Sequence, residues 1–373
     1  MLVGRRHIIA VLAAVAVLAA ACGGSEPGES EAEPAPQADA TSAVQATQPA
    51  TAEGDAGSPS DPGTSTPQGE AAADCTGESH SVTIALPALG APYLAIYSAI
   101  EEGFFEDHGV EAEIILTPGP AATIAAVASD SADVGLPFAE QGLAAIEVGA
   151  PIKIFAGVFN RVLGRLIGTP SYSGIEDLRG TQIASSAPDD LLTLLTKEKL
   201  AVEGLAEDQY DMIVVPSSEQ RYQTLQSGAV GASVLVAPRD NQAISEGFPV
   251  VFDIEEPGVL TAHFGSERFI EERTAAAVCY VRAIQEAQNW MLESGNRDRA
   301  VEILAASTEV PTEVAAATYD TFIEVEGWVP DALIVEEDLQ TTLDYLLAGG
   351  KIFEDPPDPE KYATTEILEL AAQ

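Results

Sequence analysis

The first apolar run of strand length after the N-terminal region covers 82–86, and Pro87, Gly90 and Pro92 end it. From about 92 to 106, apolar residues recur at helical spacing. Gly109 closes that helix, and a second strand, Val110–Leu116, follows. Such a βαβ unit predicts a parallel sheet with helices over its faces. The loop between its first strand and its helix falls at the carboxyl end of the sheet, where open α/β sheets hold ligands.

The rhythm continues with a turn at 117–120, a helix over 121–128, a short strand at 134–136, a helix over 137–148 and a strand at 151–156. It changes between 157 and 180, where two extended, glycine-punctuated stretches, 158–161 and 163–168, contain Arg161 and Arg165. After a turn or short helix at 173–180 and a strand at 181–184, the hydroxyls and carboxylates of 185–190 suit the start of a helix over 191–202. Strands at 211–215, 232–236 and 250–254 then alternate with helices over 219–227 and 241–246. A strand at 259–264 returns the chain to the first unit. The remainder reads as helices over 266–273, 275–292, 297–306, 312–322 and 336–347 that pack on that unit. The expected fold is α/β with two lobes around a ligand cleft, lobe 1 being 82–169 with 258–373 and lobe 2 being 170–257. Two crossing segments join the lobes, which suits hinge closure.

The segment ahead of this domain has a different composition. Residues 1–21 carry Arg5 and Arg6, then an apolar run over 8–18 and three alanines, which is the pattern of a secretion signal. The order Leu18, Ala19, Ala20, Ala21, Cys22, Gly23, Gly24 resembles a bacterial lipoprotein signal, although leucine stands four residues before the cysteine where three is usual. The resemblance implies cleavage before Cys22, lipidation of Cys22 and attachment to the extracytoplasmic face of the cell membrane. Residues 22–81 form a Pro-, Ser- and Ala-rich tether with 11 acidic side chains, no Lys or Arg and no Phe, Tyr or Trp. Such a segment buries too little apolar surface to offset its chain entropy. About 290 residues remain for the folded part, enough for a large core.

A formal net charge of −42 argues against nucleic-acid binding, which requires a positive surface. Apart from Cys22, the cysteines are Cys75 and Cys279, which an oxidising compartment allows to pair and whose separation in space the sequence leaves open. No grouping of Cys, His, Asp and Glu has metal-ligand spacing, and no cofactor motif is present.

Four segments in order carry a family resemblance: APYLAIYSAIEEGFFEDHGVE over 91–111, VASDSADVG over 127–135, IEDLRGTQI over 175–183 and YQTLQSGAVGA over 222–232. Together they resemble the solute-binding proteins of ABC importers, in the nitrate, sulfonate, taurine and thiamine-pyrimidine-precursor group. Family members more often carry Asp where Gly231 stands here. The resemblance covers nearly all of 82–348. It implies a monomeric, non-enzymatic receptor that captures a small molecule between its lobes and delivers it to a membrane permease. Carried onto this sequence, the ligand-binding candidates are Leu89, Gly90 and Tyr93 in the first loop, then Gly119 and Thr123, and Phe138 and Glu140 after the third strand. Asn160 and Arg161 by the first crossing, Ser185, Ser186 and Asp189 in the second lobe, and Ser217, Arg239 and His263 complete the set.

The ligand stays open between an organic solute, pyrimidine-like or sulfonate-like, and an inorganic anion such as nitrate or bicarbonate. Tyr93 and Phe138 suit a planar body, and Glu140 an N–H or cationic donor. Arg161 and Arg239 suit an acidic group instead. Each also has a purely structural reading, in core packing for the rings and in capping or ion pairing for the charges. Two other functions share the fold. One is an enzyme like the thiamine-pyrimidine synthase, whose cysteine-rich iron-binding stretch has no counterpart here. The other is a surface sensor or adhesin.

Overall fold

The computed structural model describes Cys75, Gly77 and residues 79–373 apart from Asp189. The secretion signal, Cys22 and nearly all of the tether lie outside the described residues. Strand β1 (His80–Leu86) pairs in parallel with β2 (Val110–Leu116), in register from His80 opposite Val110 to Leu86 opposite Leu116. The apolar run beginning at Val82 makes β1 the buried one of the two, whereas alternating glutamates leave β2 half-exposed at the sheet edge. The remaining strands are β3 (Val134–Gly135), β4 (Ile152–Gly168), β5 (Gln182–Ser185), β6 (Asp211–Val214), β7 (Ala232–Leu235) and β8 (Val250–Ser266). Their order across one eight-stranded sheet is β2-β1-β3-β8-β4-β7-β5-β6. A parallel trio stands at each end, and the antiparallel pair β4 and β8 runs between them.

Two departures from the sequence-based expectation position the cleft. The helix expected over 92–106 is interrupted. A 3-10 turn at Ala91–Tyr93 leads into Leu94–Glu101, and Gly103, at φ +86°, separates this from Phe104–Asp107. The strand expected at 151–156 and the extended stretches expected at 158–161 and 163–168 are one 17-residue strand, β4, and the strands expected at 250–254 and 259–264 are one 17-residue strand, β8. Pro257 and Gly258 do not end β8. They lie opposite Arg161, where register shifts at Ile154/Ala156, Gly157/Phe159 and Phe159/Arg161 bend the ladder without breaking it. Gly157 is required there by close packing, because a Cβ at this position would stand 2.0 Å from the Leu333 carbonyl oxygen.

The long helix Thr274–Leu292 packs its buried face against the first trio, with Tyr280 stacked on Phe105 at 5.6 Å. Cys279 on that helix is joined to Cys75 by a disulfide, with a Cα–Cα separation of 5.4 Å. The crosslink closes a loop of 204 residues and ties Cys75 to the core. Replacing Cys75 by serine should lower unfolding free energy by about 2–4 kcal/mol, through greater freedom of the unfolded chain. Urea titration of the variant in oxidising buffer checks this, and an unchanged midpoint would contradict it.

Candidate functional site

A cavity of about 960 Å³ opens at the edge of the sheet where the strands of both trios end. The first half contributes 87–90, Pro92 and Tyr93 after β1, 116–118 and Pro120 at and beyond the end of β2, and Phe138 after β3. The second contributes 216–221 after β6 and 236–241 after β7. The floor comes from 163–165 of β4 and from 253–255 and Leu260 of β8, and Glu309 and 321–325 of the C-terminal helices close one side. Carboxyl ends of parallel strands converge here because every parallel strand is followed by a helix that turns back over the sheet.

Of the sequence-derived candidates, the structure brings Leu89, Gly90, Tyr93, Phe138, Ser217 and Arg239 to the cavity wall. Tyr93 is almost fully buried and donates its hydroxyl to the Leu136 carbonyl at 3.0 Å, so only part of its ring is offered to the cavity. Phe138 is half-buried. Arg239 pairs with Glu219 and donates to the Thr308 carbonyl at 3.1 Å.

The other described candidates lie away from the wall. Gly119, at φ +144°, precedes the helix Pro120–Ala128, and its carbonyl accepts from the Thr123 N–H at 3.1 Å. Thr123 is buried against Thr117, hydroxyl to hydroxyl at 2.7 Å. Asn160 donates to Asp338 at 3.0 Å, and Arg161 lies 4.0 Å from the same carboxylate, so both serve the packing of β4 on the helix Glu336–Ala348. His263 is buried beside Tyr280, Nδ1 to hydroxyl at 2.9 Å. Burial pushes its pKa down to about 3, which leaves the ring neutral and structural in character. Asp189 is outside the described residues.

Ser185 is buried with no hydrogen-bond partner for its hydroxyl among the described residues, whereas Ser186 and Glu140 both lie against Asp190. Ser186 donates to Asp190, which also caps the helix Leu191–Val202 by accepting from the Thr193 N–H at 2.7 Å. Glu140, in the first turn of the helix Ala139–Glu147, faces Asp190 and the backbone N–H of Leu191. Burial first, and the Asp190 charge second, push its pKa up to about 8. The contact spans the two ends of the sheet, since one helix follows β3 and the other follows β5.

Sequence reasoning did not select Arg165, Arg221, Asp240, Asp253 or Phe322. Arg165 was the one with a visible signal, a lone guanidinium within an apolar extended stretch. It is held by Asp240 and Asp253, each at 2.7 Å, and by Asn241 at 2.9 Å. Burial pushes the Asp240 carboxyl above its usual range, against the pull of Arg165. Arg221, on the helix Ser218–Gln226, is 1% exposed and donates to the carbonyls of Val215, Pro216 and Val234 at 2.7–2.9 Å. Nothing in a helical repeat announces such a role.

Two parallel trios joined through a pair of long antiparallel strands, with a cavity at their shared carboxyl edge, define the two-lobe periplasmic-binding-protein fold. The chain belongs to the NMT1/THI5-like family, whose model matches residues 92–296. Similar solved structures include a protein from Bordetella bronchiseptica RB50, 25% identical with TM-score 0.59, covering 78% of this chain and 96% of that one. The alkanesulfonate-binding protein SsuA from Xanthomonas axonopodis pv. citri, bound to MOPS, is 15% identical with TM-score 0.60, covering 74% and 96%. The nitrate-binding protein NrtA from Synechocystis PCC 6803 is 16% identical with TM-score 0.63, covering 79% and 89%. No curated protein sequence matches this chain. Among the described residues no helix is long and apolar enough to cross a membrane, and no group of three or more His, Cys, Asp or Glu is placed to hold a metal ion.

Proposed function

We propose that this protein is a non-enzymatic, extracytoplasmic receptor that captures a small organic solute between two lobes and delivers it to an ABC permease. In this reading Cys22 carries the lipid anchor, residues 22–81 are the tether, and a monomer presents lobe 1 (82–169 and 258–373) and lobe 2 (170–257) to the permease. The supporting observation is the cavity of about 960 Å³ at the carboxyl edge of both parallel trios, in a chain of this family. That volume suits a drug-sized molecule rather than a small inorganic ion. The wall pairs apolar surface from Leu89, Tyr93, Phe138, Leu163 and Phe322 with a limited number of polar groups. A planar, pyrimidine-like body fits that wall better than the nitrate or alkanesulfonate named for the similar structures.

A thermal-shift screen of the full chain tests this reading, with pyrimidines, flavins, aryl carboxylates, alkanesulfonates, nitrate and amines as probes. A receptor gives a saturable rise in melting temperature with an organic member of the set and returns that compound unaltered. Phe138→Ala should then weaken binding about tenfold, the loss of one aromatic contact face. Absence of any saturable shift, or chemical conversion of the bound compound, overturns the proposal.

A further inference from the structure

The cleft's charge arrangement differs from what an anion receptor requires. All three guanidiniums that reach the cavity are already committed. Arg165 is bracketed by Asp240 and Asp253, and Arg239 is paired with Glu219. Arg221 directs Nε and Nη1 at the carbonyls of Val215, Pro216 and Val234. Freeing any of them for a sulfonate or nitrate would leave buried or half-buried carboxylates and carbonyls unmatched.

Part of the surrounding backbone also offers this solute no donor. Six residues of the wall are prolines, Pro87, Pro92, Pro118, Pro120, Pro216 and Pro238, and none has an N–H to offer. Pro120 occupies the first position of its helix. The two helices of the second half that start at the cavity carry a carboxylate in their first turns, Glu219 in one and Asp240 in the other. A carboxylate in the first turn makes a helix start less attractive to an anionic ligand.

Carboxylates outnumber guanidiniums on the wall, six against three. Asp240, Asp253 and Glu219 are paired, whereas Glu255, Glu309 and Glu324 reach the cavity from β8 and from the C-terminal helical segment and have no cationic partner among the described residues. The rest of the wall mixes hydroxyl and amide side chains with apolar surface, and the half-buried Phe138 ring lies along it. A ring face and unpaired carboxylates favour the same kind of head group.

We infer that the cleft selects a bulky, largely apolar organic cation, an amine with an aromatic or branched aliphatic body, and discriminates against sulfonates and nitrate. The inference rests on the receptor reading above and adds the charge of the solute to it. Glu255, Glu309 and Glu324 set that preference by their field at the rim, and the apolar wall holds the body.

The test uses the full chain and three probes that share one body: naphthylethylamine, naphthylethanol and naphthylethanesulfonate. Calorimetric titration should rank the amine first and the sulfonate last, with at least about a tenfold gap between them. Amine binding should weaken as salt rises, since these carboxylates are exposed. Glu309→Gln and Glu324→Gln should each reduce amine affinity about threefold and leave the alcohol unchanged, as expected for charges acting through partly screened solvent. Preference for the alcohol or the sulfonate overturns the inference and leaves the receptor reading standing. So does silence from all three beside a response to a non-amine member of the earlier screen. Silence from both sets overturns both.

Discussion

Replacing Arg221 by alanine is expected to cost about 3–5 kcal/mol of folding stability, the range for removing one side of a buried, hydrogen-bonded charge. The side chain is among the largest fully buried ones in the described structure. Its guanidinium gathers the Val215 and Pro216 carbonyls at the end of β6 and the Val234 carbonyl of β7. Burial lowers its pKa to about 10, while Asp190 pulls it upward, so the group remains charged at neutral pH. Alanine leaves three carbonyls without donors as well as a cavity. Arg221→Met separates the two effects, because it restores much of the volume and none of the hydrogen bonds. Both variants should unfold at clearly lower urea concentration. A loss under about 1 kcal/mol in either would mean that water enters and satisfies the carbonyls. Pro216 lines the cavity, so a destabilised turn there should also weaken ligand binding.

The second large effect is expected at Glu140 and runs with pH. Its carboxyl titrates near 8 in the folded protein against an ordinary 4.5, because burial and Asp190 both disfavour its charge. A carboxyl raised in this way contributes stability that is fully present below the unfolded pKa and is lost as pH rises through the folded pKa. Between about 4.5 and 8 the folded chain therefore holds a proton that the unfolded chain releases, and stability falls with rising pH. The full contribution is on the order of a few kcal/mol, from about 1.4 kcal/mol for each unit of displacement. Glu140→Gln keeps a hydrogen-bonding group of similar shape and cannot ionise. It should flatten that part of the profile and be more stable than the parent above pH 8. Chemical denaturation at several pH values checks the sign. A parent profile already flat over this window would show that Glu140 is solvated or holds a cation.

Much of the local architecture was readable in the residues. The strand Val110–Leu116 and the helix Leu191–Val202 fall where hydrophobic period, Gly109 and the acids and hydroxyls ahead of Leu191 place them. Reading failed where a signal of interruption was overridden by pairing. Pro257 and Gly258 look like a break, yet β4 supplies a partner through the bend and the ladder continues. The reverse happened at Gly103, where a helical period runs on while the backbone turns left-handed.

The site divided in the same way. Leu89, Gly90, Tyr93, Phe138 and Ser217 follow strands directly, and the rule that loops at carboxyl ends face the cleft was enough to select them. Glu140, Ser185 and Ser186 satisfy that rule too, but all three are buried away from the cavity wall, Glu140 and Ser186 against Asp190. Arg165 and Asp253 meet across the pairing of β4 with β8, and Glu309 and Phe322 arrive from helices far along the chain.

By itself the sequence determined the α/β class and the alternation of elements, because these depend on period and punctuation along the chain, and the resemblance of four segments pointed to the family. Only the tertiary structure decided which charges were spent. Arg165 reads the same in sequence whether it is free to meet an anion or enclosed by carboxylates, since Asp240, Asn241 and Asp253 lie tens of residues away and converge on it only through the pairing of β4 with β7 and β8.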